Sequence, residues 1–256
     1  MQTADALRDA VEAHLGTLTF APELGGLEKA LRYSLESGGK RVRPVLCVAV
    51  TEANGAPVDD ALPAAAALEL VHTFSLVHDD LPALDDDHER RGRPSAHVAF
   101  GEGVALLSGD ALLAEAFRLA LTYESGAVAR ELADATVGMI AGQYRDITGA
   151  DAPLEELHRL KTGRLFVAAV RIGLDVASVA PDERAPWIAF GEDVGLLFQV
   201  VDDLLDGDGY VDRLGTEATR ALADDVAERA SSRLDELACD TTVLRDLLDA
   251  LTFRTG

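Results

Sequence analysis

Apolar residues recur at three- and four-residue spacing along most of the chain, as in Leu7, Val11 and Leu15 and again in Leu222, Val226, Ala230, Leu234 and Leu237. That period lays a stripe along one helical face. Strand-like alternation is nowhere sustained. Helix-breaking residues fall at Gly25-Gly26, Asn54 to Pro57, Asp85 to Pro94, Gly149 to Pro153, Pro181 and Gly207 to Gly209. The pattern predicts an all-α chain of roughly ten helices. With no linker, low-complexity tract or repeat period, residues 1–256 are expected to form one domain. Pro63 to Val77 and Gly103 to Leu121 are apolar on every side, so both are expected to be central helices of a bundle, buried all round. The interior of such a bundle is where helical proteins build cofactor and substrate sites.

Composition narrows the function classes. The 256 residues are 48% hydrophobic, enough for a substantial core. Lys and Arg total 23 against 45 Asp and Glu, a formal charge of -22. No basic excess is left to displace phosphate counterions, so nucleic-acid binding is not expected. Phosphate recognition must be local or carried by metal ions. Cys47 and Cys239 are too few for a disulfide framework and are expected as small buried thiols. The N-terminus lacks a basic, then apolar, leader pattern, and no segment reaches the roughly 20 apolar residues of a membrane span. A soluble, reducing, cytoplasmic setting is the expectation.

Two acidic constellations stand against apolar helical pattern. In the first, His78-Asp79-Asp80-Leu81-Pro82-Ala83-Leu84-Asp85-Asp86-Asp87, Pro82 should loosen the helix and let Asp85 turn back towards Asp79. In the second, Asp202, Asp203 and Asp206 follow an apolar run and share one helical face by their spacing. Like charges so arranged repel, and hard divalent cations, Mg²⁺ above all, would resolve the conflict. Asp224, Asp225 and Glu228 repeat the spacing within a mixed-charge helix that also carries Arg220 and Arg229, and are expected to be a solvated face. The cationic segments GGKRVRP (38–44), RRGRP (90–94) and KTGR (161–164) supply glycines that let backbone approach a ligand and Lys and Arg for phosphate oxygens. Together these segments suggest one pocket for two polyanions. His78, His88 and His97 do not form a zinc-ligand spacing with cysteine, so no zinc site is expected.

These motifs, taken in order, resemble the trans-isoprenyl diphosphate synthase (polyprenyl synthetase) family. The resemblance rests on GGKRVRP at 38–44, HTFSLVHDDLPALDDD at 72–87, RRGRPS at 90–95, LLSGDALL at 106–113, GQYRDI at 142–147, KTGRLF at 161–166 and FQVVDDLLD at 198–206. It implies an all-α fold around a central cavity, usually homodimeric, with two Asp-rich motifs facing each other. Asp79, Asp80 and Asp85 then resemble a first Mg²⁺-binding set and Asp202, Asp203 and Asp206 a second, for three ions in all. Lys40, Arg43, His72 and Arg91 resemble the isopentenyl diphosphate site. Arg90, Lys161, Thr162 and Gln199 resemble partners of the allylic diphosphate, with Arg41 and Arg93 as supporting charges. The Lys161 carbonyl and the Thr162 hydroxyl are expected to steady an allylic cation. Phe74 and Ser75, about one helical turn deeper than Asp79, are expected to set product length. A phenyl floor at 74 favours farnesyl diphosphate, with geranylgeranyl diphosphate the alternative.

One departure stands out. The family's lysine-containing loop after the second Asp-rich motif is replaced by GDGYVDRLGTEATR, which is shorter and lacks lysine, with Arg213 the candidate substitute. That leaves a noncatalytic regulatory subunit as a competing reading. A terpene cyclase is disfavoured by the purely Asp second motif. Residues 207–256 are expected to be a capping helical pair carrying little chemistry.

Overall fold

In the computed structural model, which describes residues 2–149 and 153–252, the chain is almost wholly helical. The expected break from Gly149 to Pro153 runs through residues 150–152, which lie outside the described residues. The order is α1 (Ala4–Thr17), α2 (Glu28–Leu35), α3 (Val42–Ala53), α4 (Val58–Asp79), a hairpin of β1 (Glu89–Arg90) and β2 (Arg93–Pro94), α5 (Ala96–Phe100), α6 (Glu102–Ala120) and α7 (Ala127–Thr148). Then come α8 (Leu154–His158), a π-helical turn at Arg159–Gly163, α9 (Arg164–Val176), α10 (Ala185–Asp206), α11 (Tyr210–Leu214), α12 (Thr216–Asp235) and α13 (Thr242–Thr252). The short hairpin goes beyond what the helical pattern predicts. Arg91 and Gly92 at its tip both have positive φ, 56° and 74°, the geometry that a tight two-residue hairpin demands.

Helix α4 is the axis of the bundle, packed by α3, α6 and α9. Its residues from Ala64 to Val71 are all buried, as expected for the Pro63 to Val77 run. By length and mean hydropathy, 1.2 over its most apolar stretch, α4 also matches a membrane span, which the sequence reading did not anticipate. Two thirds of that stretch (67%) is buried within the bundle, which accounts for its apolarity without a bilayer. Pro63 sits inside the helix, and the disturbed turn is repaired from outside: Tyr123 Oη donates to the Asp60 carbonyl at 2.7 Å and accepts from the Ala64 amide at 3.1 Å. Helix α9 approaches α3 closely at Gly173, where a Cβ would stand 2.7 Å from the Cys47 carbonyl.

Helix α6 departs from expectation. Leu112 and Ala116 are buried, but Val104, Leu106 and Leu107 are exposed, and so is Leu121 just beyond the helix. Helix α7 similarly exposes Val137, Ile140, Tyr144 and Ile147. The all-apolar pattern of α6 thus reflects one core face and one bare apolar face. Of the cysteines, Cys47 is fully buried and Cys239 only partly so; both are free thiols. Arg229 pairs with Asp225 on exposed α12 surface, so the Asp224-Asp225 segment is a solvated face, as expected.

Candidate active site

The acidic constellations meet because two helices end at the same cavity. Helix α4 stops at Asp79, just before Pro82, and the chain turns back so that the Asp85 amide donates to the Asp79 carbonyl at 2.9 Å. Asp79 and Asp85 line a cavity of about 660 Å³ together with Asp202 and Asp203 from α10. Arg43, Arg90, Arg91 and Lys161 place four cations on the same walls, beside His72, Ser75, Thr162 and Gln199. Lys40 lies in an adjoining recess that shares Arg43, His72 and Arg91 with this cavity.

Two of the six expected aspartates stand elsewhere. Asp80 is buried and held by the Arg90 guanidinium, which also donates to Asp87 at 2.9 Å. Asp206, the last residue of α10, is exposed and does not line the cavity. Asp208 lines it instead. Gly207 and Gly209, with φ of 77° and 53°, turn the chain back over the end of α10 and set the exposed Asp208 at the rim of the cavity. This return also uses Asp203, whose Oδ2 accepts the Tyr210 amide at 2.8 Å. The segment after Asp206 therefore does more than cap the fold, contrary to the sequence reading. Arg213, the candidate lid residue, is exposed and outside the cavity.

The KTGR segment is shaped by the π-helical turn. Thr162 Oγ1 donates to Gln199 Oε1 at 2.7 Å, and Gln199 Nε2 donates to Asp203 Oδ1 at 2.7 Å. Lys161 Nζ pairs with Asp146 at 2.6 Å. Gly142 of α7 lies under this turn, where a Cβ would come 2.6 Å from the Lys161 backbone nitrogen. The GQYRDI motif is thereby explained: Gly142 gives room to Lys161 and Asp146 holds its ammonium.

Arg41 borders the recess that holds Lys40. It has a left-handed backbone and its guanidinium is buried between Glu12, Glu69 and the Leu35 carbonyl. Arg93 lies 4.2 Å over the Tyr33 ring and faces a separate small recess. Arg43 stacks 4.4 Å from the Phe166 ring, and burial pulls its pKa down to about 10. Burial and the surrounding Arg43, Arg91, Arg41 and Arg90 hold His72 well below the usual histidine range, so it is a neutral imidazole.

Below Asp79 a chamber of about 260 Å³ shares Ser75, Asp79, Met139 and Lys161 with the main cavity. Its walls are mostly apolar: Phe74, Leu84, Ile140 and Ile147, with Tyr144 beside them. Phe74 packs edge-on against His78 at 5.0 Å. Only Phe74 and Ser75 were legible in the sequence, since the α7 residues reach the chamber through packing.

The facing carboxylates offer oxygen donors only, the set preferred by Mg²⁺. Burial, reinforced by Asp85 and Asp80 and opposed by Lys161 and Arg90, pushes Asp79 up to about 6. A bound dication would restore its charged form, so the donor set fits the metal.

Residues 25–241 match the polyprenyl synthetase family. Over 208 residues the chain is 41% identical to a geranylgeranyl diphosphate synthase of Cyanophora paradoxa, covering 75% of this chain and 69% of that one. It is 38% identical over 204 residues to the farnesyl diphosphate synthase of Bacillus subtilis, covering 74% and 69%. The crystal structure of a geranyltransferase from Legionella pneumophila is similar with a TM-score of 0.88 at 30% identity, over 98% of this chain and 96% of that one. An all-α fold, two acidic segments on one cavity and these likenesses place the chain in the polyprenyl synthetase family of prenyltransferases.

Proposed function

We propose that the chain joins isopentenyl diphosphate to an allylic diphosphate, dimethylallyl or geranyl, with farnesyl diphosphate as product. The observation that carries this reading is the convergence of Asp79, Asp85 and Asp202 with Arg90, Arg91 and Lys161 on one cavity that continues into an apolar chamber. Asp79, Asp85 and Asp202 are assigned as direct ligands of the family's Mg²⁺, three ions in the full reading. Asp80 then positions Arg90, and Asp203 positions Gln199. Held by these carboxylates, Mg²⁺ would supply the positive charge that makes the diphosphate a leaving group.

The chain's own residues do the rest. Arg90 and Lys161 bind the allylic diphosphate, while Lys40, Arg43 and Arg91 bind the other, with neutral His72 hydrogen-bonding rather than adding charge. The apolar walls beside Phe74 take up the prenyl tail. Thr162 donates its proton to Gln199, which leaves its hydroxyl oxygen able to face the allylic cation along with the Lys161 carbonyl. No protein base is assigned for the final proton, which passes to the released diphosphate.

Geranylgeranyl diphosphate is the second reading, favoured by the likeness to the Cyanophora paradoxa synthase. The bare stripe of Val137, Ile140, Tyr144 and Ile147 on α7, at helical spacing, supports a homodimer. The contiguous core supports a single domain, and two unpaired thiols support a reducing, cytoplasmic setting. The test is incubation of the purified chain with Mg²⁺, isopentenyl diphosphate and each allylic diphosphate in turn. Condensation by the chain alone is expected; its absence without a partner would favour the noncatalytic subunit.

A further inference from the structure

We propose that Asp86, His88 and His97 form a binding site for a transition-metal dication of the Zn²⁺ class, distinct from the diphosphate cavity. Each of the three offers a ligand atom, and these atoms all lie within 4.8 Å of one another. None of the three lines the main cavity. Sequence spacing alone does not reveal the site, because the hairpin assembles it. The Ser95 amide donates to the His88 carbonyl at 3.0 Å, extending the β1–β2 pairing by one step and setting His88 opposite Ser95. His97, two residues on, then reaches back so that its ring lies 5.7 Å from that of His88.

The three ligands differ in how firmly they are held. His97 is buried, and Ser95 Oγ lies 3.0 Å from its Nδ1, a contact that fixes the ring. Outer hydrogen bonds of this kind orient metal-bound histidines. Asp86 and His88 are exposed, and Asp86 Oδ1 already lies 3.5 Å from His88 Nε2. Neighbouring ligand atoms around a tetrahedral zinc at bond lengths of about 2.0–2.1 Å stand roughly 3.3 Å apart. Modest rotation of the two exposed side chains about the fixed His97 therefore closes the set, with water in the fourth position. Asp86 has a left-handed backbone, φ 54°, which directs this carboxylate differently from its neighbours in the acidic run. The nearby Arg90 charge is already matched by Asp80 and Asp87, so it does not repel a dication at full strength. Two imidazoles and one carboxylate suit a borderline metal, whereas Mg²⁺ prefers oxygen.

The site is tested by titrating the full, Mg²⁺-free chain with Co²⁺ and following the intense visible absorption of tetrahedral cobalt. One saturable equivalent is expected, displaced by Zn²⁺ and not by millimolar Mg²⁺. His88→Ala, an exposed substitution, should weaken binding by about 10–100-fold or more and leave Mg²⁺-supported condensation unchanged; Asp202→Asn should leave the cobalt spectrum unchanged. A weak octahedral spectrum, or a tetrahedral one that survives both His88→Ala and His97→Gln, would overturn the proposal. The spectrum is read without substrate, so it stands or falls independently of prenyl transfer.

Discussion

Gln199 Nε2 donates to Asp203 Oδ1 at 2.7 Å while the Tyr210 amide takes Oδ2 at 2.8 Å, so the second aspartate of its pair is held by two protein donors. Its neighbour Asp202 faces the cavity. Asp203→Asn should therefore cost about 1–3 kcal/mol of stability as well as activity, because the new amide nitrogen confronts a donor in a buried position. Asp202→Asn should cost less stability than Asp203→Asn and still lower condensation by about 10–100-fold. Thermal unfolding beside steady-state kinetics separates the two.

Gly142 has no room for a methyl group, since a Cβ there would meet the Lys161 backbone nitrogen at 2.6 Å and its Cα at 2.8 Å. Gly142→Ala should push the π-helical turn away from α7 and cost about 1–3 kcal/mol. Displacing Lys161 and Thr162 should also lower kcat. Wild-type kcat in a folded Gly142→Ala variant would contradict this role.

Phe74 is 7% exposed and walls the apolar chamber below Asp79. Phe74→Ala should lengthen the prenyl product and cost about 3 kcal/mol of stability. Chromatography of the dephosphorylated product reads the first effect. An unchanged chain length would remove Phe74 as the floor and leave Ile140, Tyr144 and Ile147 as the candidates.

The exposed stripe on α7 predicts a dimer in solution. Light scattering should give twice the mass of the 27.1 kDa chain. Val137→Asp, at a residue 66% exposed in the single chain, should shift the population to monomer without unfolding it, since no core contact is removed.

What the sequence made legible followed from local rules. The return of Asp85 to Asp79 was readable because Pro82 cannot continue a helix, and the burial of Ala64 to Val71 because a nearly all-apolar stretch has no wet face. What it hid was tertiary. Adjacent helical residues point about 100° apart, so Asp79 and Asp80 diverge, and only the fold shows that Arg90 captures Asp80. Equal spacing suggested that Asp206 joins Asp202, but the helix ends there, and the Gly207-Asp208-Gly209 turn sets Asp208 at the cavity rim instead. That glycine-flanked aspartate was the available signal. The partners of Arg41 were hidden because Glu12 and Glu69 lie 29 and 28 residues away. In α6, periodicity could not separate a face buried in its own core from a bare apolar face.

In the proposed reaction Asp79 and Asp202, on different helices, jointly hold one metal-bound diphosphate. This shared hold is read by calorimetric binding of a non-ionising allylic thiodiphosphate, with and without Mg²⁺. Binding should require Mg²⁺ and weaken at least about 10-fold in both Asp79→Asn and Asp202→Asn. Equal affinity without Mg²⁺, or an Asp202→Asn variant that binds like wild type, would contradict it.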